Sequence, residues 1–229
     1  MGKQVLLLGC APDLERELHN HCGDGLLVAS VLPDLRDPRL RELVRSADLI
    51  VLHEHAAPCD LPQICTHLRG QTHRPLLVVL HEPTEDAVTA VLAAGADDAL
   101  AATASACELR ARIRAHLRRD QEYATGHVRP AVAVGELRLD SARHEVQVRG
   151  QSVNLTPREF ELLEHLARQA GRAVRREELL EQVWGYNSEM TTRTLDVHVG
   201  RLRQKVERNP PEPEMIVTVP GVGYKLQAG

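Results

Sequence analysis

"TRTLDVHVGRLRQKVE" (Thr192–Glu207) is the stretch on which the fold turns. Leu195, Val199, Leu202 and Val206 recur at the period of an α-helix and make one stripe apolar. Opposite them lie Arg193, Val197, Gly200, Arg201, Gln204 and Arg208, flanked by Thr194, His198 and Arg203. Five cations (Arg193, Arg201, Arg203, Lys205 and Arg208) fall within sixteen residues, opposed only by Asp196 and Glu207. A helix with arginine edges and short residues along its crest suits a major groove, where arginine reaches phosphates or guanine edges and valine can touch a thymine methyl. A solvated amphipathic helix carries the same pattern, so the surrounding chain has to decide between the two.

Upstream, "LTPREFELLEHLARQAG" (155–171) opens a second helix with favourable local chemistry. Thr156 can cap it, Pro157 suits the first turn, and Glu159 completes a capping box three residues after the cap. Phe160, Leu163 and Leu166 form its apolar face, and Gly171 stops it. "REELLEQVWG" (176–185) is a third helix, and "MIVTVPGVGYKL" (215–226) alternates around a glycine-containing turn as a hairpin does. Before all of these, "VGELRLDSARHEVQVRGQSVNL" alternates apolar and polar residues with turns at "DSAR" and "RGQ", which predicts a small antiparallel sheet.

Together "LTPREFELL", "REELLEQVWG", "RTLDVHVGRLRQKVE" and "IVTVPGVGYKL" resemble the winged-helix effector domain of OmpR/PhoB-class bacterial response regulators, over residues 132–229. The resemblance implies that residues 193–207 are the recognition helix and that the 215–226 hairpin is the wing beside the minor groove. Its implied DNA contacts are Arg193, Thr194, Val197, His198, Arg201 and Arg203, with Thr218 in the wing. It also implies that Arg176 and Trp184 hold phosphate backbone and that the loop at 185–192 faces RNA polymerase. Two positions depart from the pattern: Gly200, where a basic or polar groove contact is common, and Pro220, where the wing often carries arginine.

The first half has another design. All five cysteines lie within it and all five aromatics lie beyond it. Residues 1–122 carry 13 Lys+Arg against 18 Asp+Glu, whereas residues 123–229 carry 15 against 14. Aliphatic runs at 5–8, 26–30, 49–52, 76–80 and 98–100 alternate with segments of helical spacing. The runs are apolar throughout, which predicts a parallel sheet covered on both faces. "CELRARIRAHLRR" (107–119) closes this half with Leu109, Ile113 and Leu117 on one side. The polar run ahead of Val132 supplies a linker at 121–131 after a domain at 1–120.

"VLLLGCAPDLEREL", "ADLIVLHEHAAP", "RPLLVVLHEPTEDAVTAVLAAGADDAL" and "ELRARIRAHLRR" resemble the receiver domain of the same class, a doubly wound (βα)5 fold of the CheY/flavodoxin type. That family binds Mg²⁺ at an acidic pair after the first strand and phosphorylates an aspartate ending the third. A hydroxyl residue ends its fourth strand and a lysine follows its fifth. Here Gly9 and Cys10 replace the acidic residues, His53 the acceptor, Leu80 the hydroxyl residue and Ala102 the lysine. These replacements remove the hard-cation ligands, the carboxylate nucleophile and the balancing charge together. A degenerate receiver, indifferent to aspartyl phosphorylation, is expected. Asp97, Asp98, Glu108, Arg112 and Arg119 match the family's dimerisation face and predict a constitutive homodimer.

Other readings are narrower. His53, His55 and Cys59 are candidate metal ligands, but their spacing fits no standard pair, and a ligand-, metal- or redox-sensing first half is the alternative. "GCAPDLE" lacks a phosphate-binding glycine fingerprint, no catalytic triad stands out, and no cofactor or enzymatic activity is expected. Val5–Leu8 is too short for a signal peptide or membrane span. The expected setting is the cytoplasm, with double-stranded DNA and a second copy of the chain as partners.

Overall fold

The computed structural model describes residues 3–9, 26–32, 37–54, 60–124, 130–185 and 189–227. The chain divides into two compact units between Leu117 and Arg118.

The first unit is built on five strands: β1 (Lys3–Leu8), β2 (Leu26–Leu32), β3 (Leu49–His53), β4 (Leu76–Leu80) and β5 (Asp98–Ala101). They lie in the order β2-β1-β3-β4-β5, with every neighbouring pair parallel. This order places a topological switch point between β1 and β3, and side chains at the carboxyl edge there face a crevice. The described helices are α1 (Leu40–Ser46), α2 (Leu61–Arg69), α3 (Glu85–Ala93) and α4 (Ala106–Ala124). Asp60 caps α2 by accepting from Gln63 N, and Thr84 caps α3 by accepting from Ala87 N. Val5, Leu7, Leu49, Val51, Leu77, Val79 and Leu100 form one face of the sheet and pack with Leu109, Ile113 and Leu117 of α4. Leu6, Leu8, Ile50, Leu52, Val78 and Leu80 are buried as well, so β1, β3 and β4 are covered on both sides.

Two details change the expectations. Helix α4 runs on to Ala124, so residues 121–124 of the expected linker are helical. The acidic–basic set assigned to a dimer face is largely consumed inside the unit. Asp97 is 0% exposed: its Oδ2 accepts from Arg69 Nη2 at 2.6 Å and from Leu76 N at 2.9 Å. Asp98 pairs with Arg112 at 3.1 Å, and Arg112 in turn bonds Glu108 at 2.8 Å. Asp97, Asp98 and Arg112 are therefore corrected from contacts between copies to internal ties. Packing of α4 against β5 brings Asp98 and Arg112 within bonding distance of each other. The Arg119 side chain lies outside the described residues.

The second unit begins with an antiparallel sheet, β6 (Val132–Val134), β7 (Leu137–Asp140), β8 (Glu145–Val148) and β9 (Gln151–Ser152), in sequence order. Its turns place His144 at φ 55° and Arg149 at φ 54°, both in the left-handed region. Helix α5 (Pro157–Arg168) follows, and Thr156 and Glu159 form the expected capping box. Next come β10 (Val174–Arg175), α6 (Arg176–Trp184), α7 (Glu189–Val206) and the hairpin β11 (Ile216–Val219) with β12 (Gly223–Leu226). Strand β12 lies between β10 and β11. A side chain at Gly223 would bring Cβ to 2.2 Å from the Val174 carbonyl oxygen, so only glycine lets β10 pair there. Leucines of β7, valines of β8 and the apolar faces of all three helices share one core with Ile216, Tyr224 and Leu226.

Candidate nucleic-acid interface

Helix α7 buries Leu195, Val199, Leu202 and Val206 completely, as the period requires. On the far side Arg193, Gly200, Gln204 and Arg208 are exposed and Val197 is half-buried. The helix begins at Glu189, so residues 189–192 of the expected polymerase-facing loop are helical, and 186–188 lie outside the described residues.

Three predicted contacts are corrected. Thr194 is 2% exposed and His198 0% exposed, because the buried arc of α7 is wider than its aliphatic stripe. The His198 ring meets Trp184 edge-on at 5.1 Å, and its Nδ1 lies 2.8 Å from the Thr194 carbonyl oxygen. A carbonyl can only accept, so Nδ1 carries the proton. Trp184 is itself 0% exposed. It fills the junction of α6 and α7 and cannot meet a phosphate.

The remaining cations are held rather than splayed. Buried Glu159 faces Arg201 Nη2 at 3.0 Å through Oε1 and Lys205 Nζ at 2.6 Å through Oε2. The same Oε2 accepts from Thr156 N at 2.8 Å. One carboxylate thus closes the first turn of α5 and braces two basic side chains of α7. Arg203 donates from Nε and Nη2 to the Ile216 carbonyl oxygen at 2.9 and 2.7 Å, and from Nη2 to Thr218 Oγ1 at 2.8 Å. Glu207 accepts from the backbone N–H groups of Glu214, Met215 and Ile216. Together Arg203 and Glu207 tie the β11–β12 hairpin to the C-terminal half of α7.

At the N-terminal half of α7, Tyr224 Oη donates to Asp196 Oδ1 at 2.6 Å. Arg176 Nη2 lies 3.1 Å from the same oxygen, and its guanidinium sits 5.0 Å from the Tyr224 ring centroid. Burial, and then the hydrogen bond to Asp196, raise the Tyr224 pKa above its ordinary value. Arg176 is thus placed where α6, α7 and the hairpin converge. Thr218 and Val222 of the hairpin are exposed. In the sequence alone Glu159 is marked only as a capping residue, and Asp196 and Glu207 only as counter-charges. For Asp196 and Glu207 the signal was two acids set among the cations of α7, which does not name a partner, and for Glu159 the capping position gave no sign of the second helix.

In the first unit, backbone register brings the substituted residues to one edge. Leu8 pairs with Leu52 and His53 with Val79, so Gly9 and His53 end adjacent strands. Leu80 pairs with Ala101, and its carbonyl oxygen accepts from Ala102 N. His53 is buried, its ring edge-on to that of His81 at 5.2 Å. Cys10, His55 and Cys59 lie outside the described residues. Among the described residues, no group of three or more His, Cys, Asp or Glu side chains could hold a metal ion. Burial pushes the Cys65 thiol up to about 12, which keeps it protonated and unreactive at neutral pH. Among the described residues, no helix is long and apolar enough to cross a membrane.

Residues 150–226 match the family model described as "Transcriptional regulatory protein, C terminal". The chain is 40% identical to the sensory transduction protein RegX3 of Mycobacterium tuberculosis over 79% of its own length and 80% of the relative's. It is 36% identical to the DNA-binding response regulator MtrA of Mycolicibacterium smegmatis, covering 89% of this chain and 83% of that one. Among solved structures, a single-residue mutant of RitR aligns over 100% of both chains with a TM-score of 0.73 at 26% identity.

Proposed function

Because this chain belongs to the OmpR/PhoB class of DNA-binding transcriptional response regulators, we propose that it regulates transcription without aspartyl phosphorylation of its receiver-like unit. The observation that carries this reading is the carboxyl edge of the parallel sheet. Gly9, His53, Leu80 and Ala102 meet there, and none offers a carboxylate, a hydroxyl or an amine. Phosphoryl transfer to an aspartate needs the nucleophile, a Mg²⁺ held by carboxylates and a cation against the developing charge. The protein works by binding rather than by catalysis, in the cytoplasm.

On DNA, α7 enters the major groove with Arg193, Val197 and Gln204 toward the bases, while Thr218 and the hairpin tip lie along the neighbouring groove. Arg201 and Arg203 act from fixed positions, one braced by Glu159 and the other by the wing. Arg176 presents its guanidinium to backbone phosphate from the Asp196–Tyr224 cluster. A single winged helix contacts too little DNA to be selective, so two copies occupy paired half-sites. Asp97, Asp98 and Arg112 are not the groups that join them. RNA polymerase is a further partner in this reading.

Intact mass after incubation with a small phosphodonor and Mg²⁺ tests the central claim. No phosphoryl adduct is expected, and the protein's affinity for its selected DNA stays the same before and after treatment. A stable adduct with changed DNA affinity overturns the reading.

A further inference from the structure

Gly200 sits in the middle of α7, an eighteen-residue helix, with ordinary helical backbone and no side chain. Glycine in a helix interior is unfavourable relative to alanine, because the unfolded chain has more conformational freedom to lose. A glycine is usually kept there when a neighbouring element comes too close for a Cβ. Gly223 shows the same constraint in a strand, β12, with a carbonyl oxygen 2.2 Å from where its Cβ would be. Gly200 differs: a Cβ built on it meets nothing within 4 Å. Nothing in the described fold asks for glycine at this position.

The neighbours of Gly200 say what does. Val197 and Gln204, three residues before and four after, lie on the same side of the helix. They bracket a shallow trough with a half-buried branched aliphatic at one end and a primary amide at the other. The trough does not suit a phosphate. Backbone N–H groups in a helix interior are spent on intrahelical bonds. The guanidinium of the next residue in sequence, Arg201, is engaged with Glu159 at 3.0 Å. What fits is a small apolar projection beside a paired donor and acceptor. In a major groove that combination is an A·T pair, with the thymine 5-methyl for the apolar part and adenine N6 and N7 for the amide.

We propose that Gly200 is a specificity-determining position: it leaves space for a thymine methyl against Val197, while Gln204 reads the adenine of the same or the adjoining pair. This rests on α7 being the helix that faces DNA, and it adds which base that face selects.

The test uses the full chain and a randomised duplex library. Enriched sites carry an A·T pair at a fixed position. Replacing that thymine by deoxyuridine, which removes only the methyl, weakens wild-type binding about fourfold, the value of one buried carbon. Gly200→Ala unfolds at the same temperature or higher, yet binds the enriched site less tightly and no longer distinguishes thymine from uracil. Gly200→Lys enriches a different base at that position. Gln204→Ala loses the preference for adenine, by about tenfold. The inference is overturned if wild type binds every single-uracil duplex as tightly as the parent, or if Gly200→Ala matches wild type in affinity and base preference. If wild type enriches no sequence at all, the DNA-facing reading of α7 fails first and takes this one with it.

Discussion

At Glu159 one carboxylate completes the α5 capping box and faces Arg201 and Lys205 of α7. Such a group is costly to neutralise, because its partners are left without the charge they were positioned against. Glu159→Gln keeps the volume and a cap acceptor, so the expected loss of stability is about 1–3 kcal/mol, less than for outright removal of a buried pair. The urea midpoint reads it, and an unchanged midpoint would show that the two cations are held by water alone. Gly223 sets a stricter limit at this scale. The Val174 carbonyl oxygen would lie 2.2 Å from an added Cβ and belongs to backbone that is itself paired with Tyr224. Gly223→Ala is therefore expected to cost about 1–3 kcal/mol and to displace β12. Its thermal midpoint should fall, in contrast to Gly200→Ala.

Among elements, the β11–β12 hairpin and α7 behave as one body because Arg203 and Glu207 cross between them. Arg203 spans to Ile216 and Thr218, and Glu207 takes the N–H groups that open β11. Removing the guanidinium should loosen the hairpin and leave the helix in place, since α7 is anchored by its buried stripe. Arg203→Ala is expected to speed hydrogen exchange across residues 216–219 with little change in the exchange of 195–206. Stability should fall by about 1–2 kcal/mol, and DNA affinity with it. Equal exchange in the hairpin before and after would mean that strand pairing with β10 and β12 holds the wing unaided. The α4–β5 contact shows the opposite economy. Its charges bind one another, so an exposed-looking acidic–basic motif becomes a buried tie.

For the whole molecule, each unit carries a group whose burial makes it hard to ionise. The Cys65 thiol in the first unit stands at about 12 against an ordinary 9.0, and Tyr224 in the second is raised for the same reason. A raised folded pKa means that the folded state keeps a proton the unfolded chain gives up. The Cys65 contribution is thus fully present below pH 9.0 and is lost as pH rises toward about 12. Urea unfolding at pH 8, 9, 10 and 11 should show stability declining with pH, and Cys65→Ala should flatten the decline for the first unit. A flat profile in the unsubstituted chain would count against both groups.

Both fold classes follow from residue order with no knowledge of the packing. Parallel strands buried on two faces must be aliphatic throughout, and helices with one buried stripe must repeat at their own period. The capping box was legible for the same reason, as a local fact about residue type and spacing, whereas the winged-helix motifs and the five substituted receiver positions were legible through the resemblance to the response-regulator class. Where the long side chains end was settled only by the assembled fold. Thr194, His198 and Trp184 look like contact residues in a list and are core residues in space, because α6 covers the flank of α7. Asp97, Asp98 and Arg112 look like an interface and close on their own unit, because α4 lies against β5 and Arg69 reaches Asp97. Periodicity gives the direction of a Cβ. The partner of a guanidinium several bonds further out depends on which elements pack beside it, and that information is spread over the whole chain.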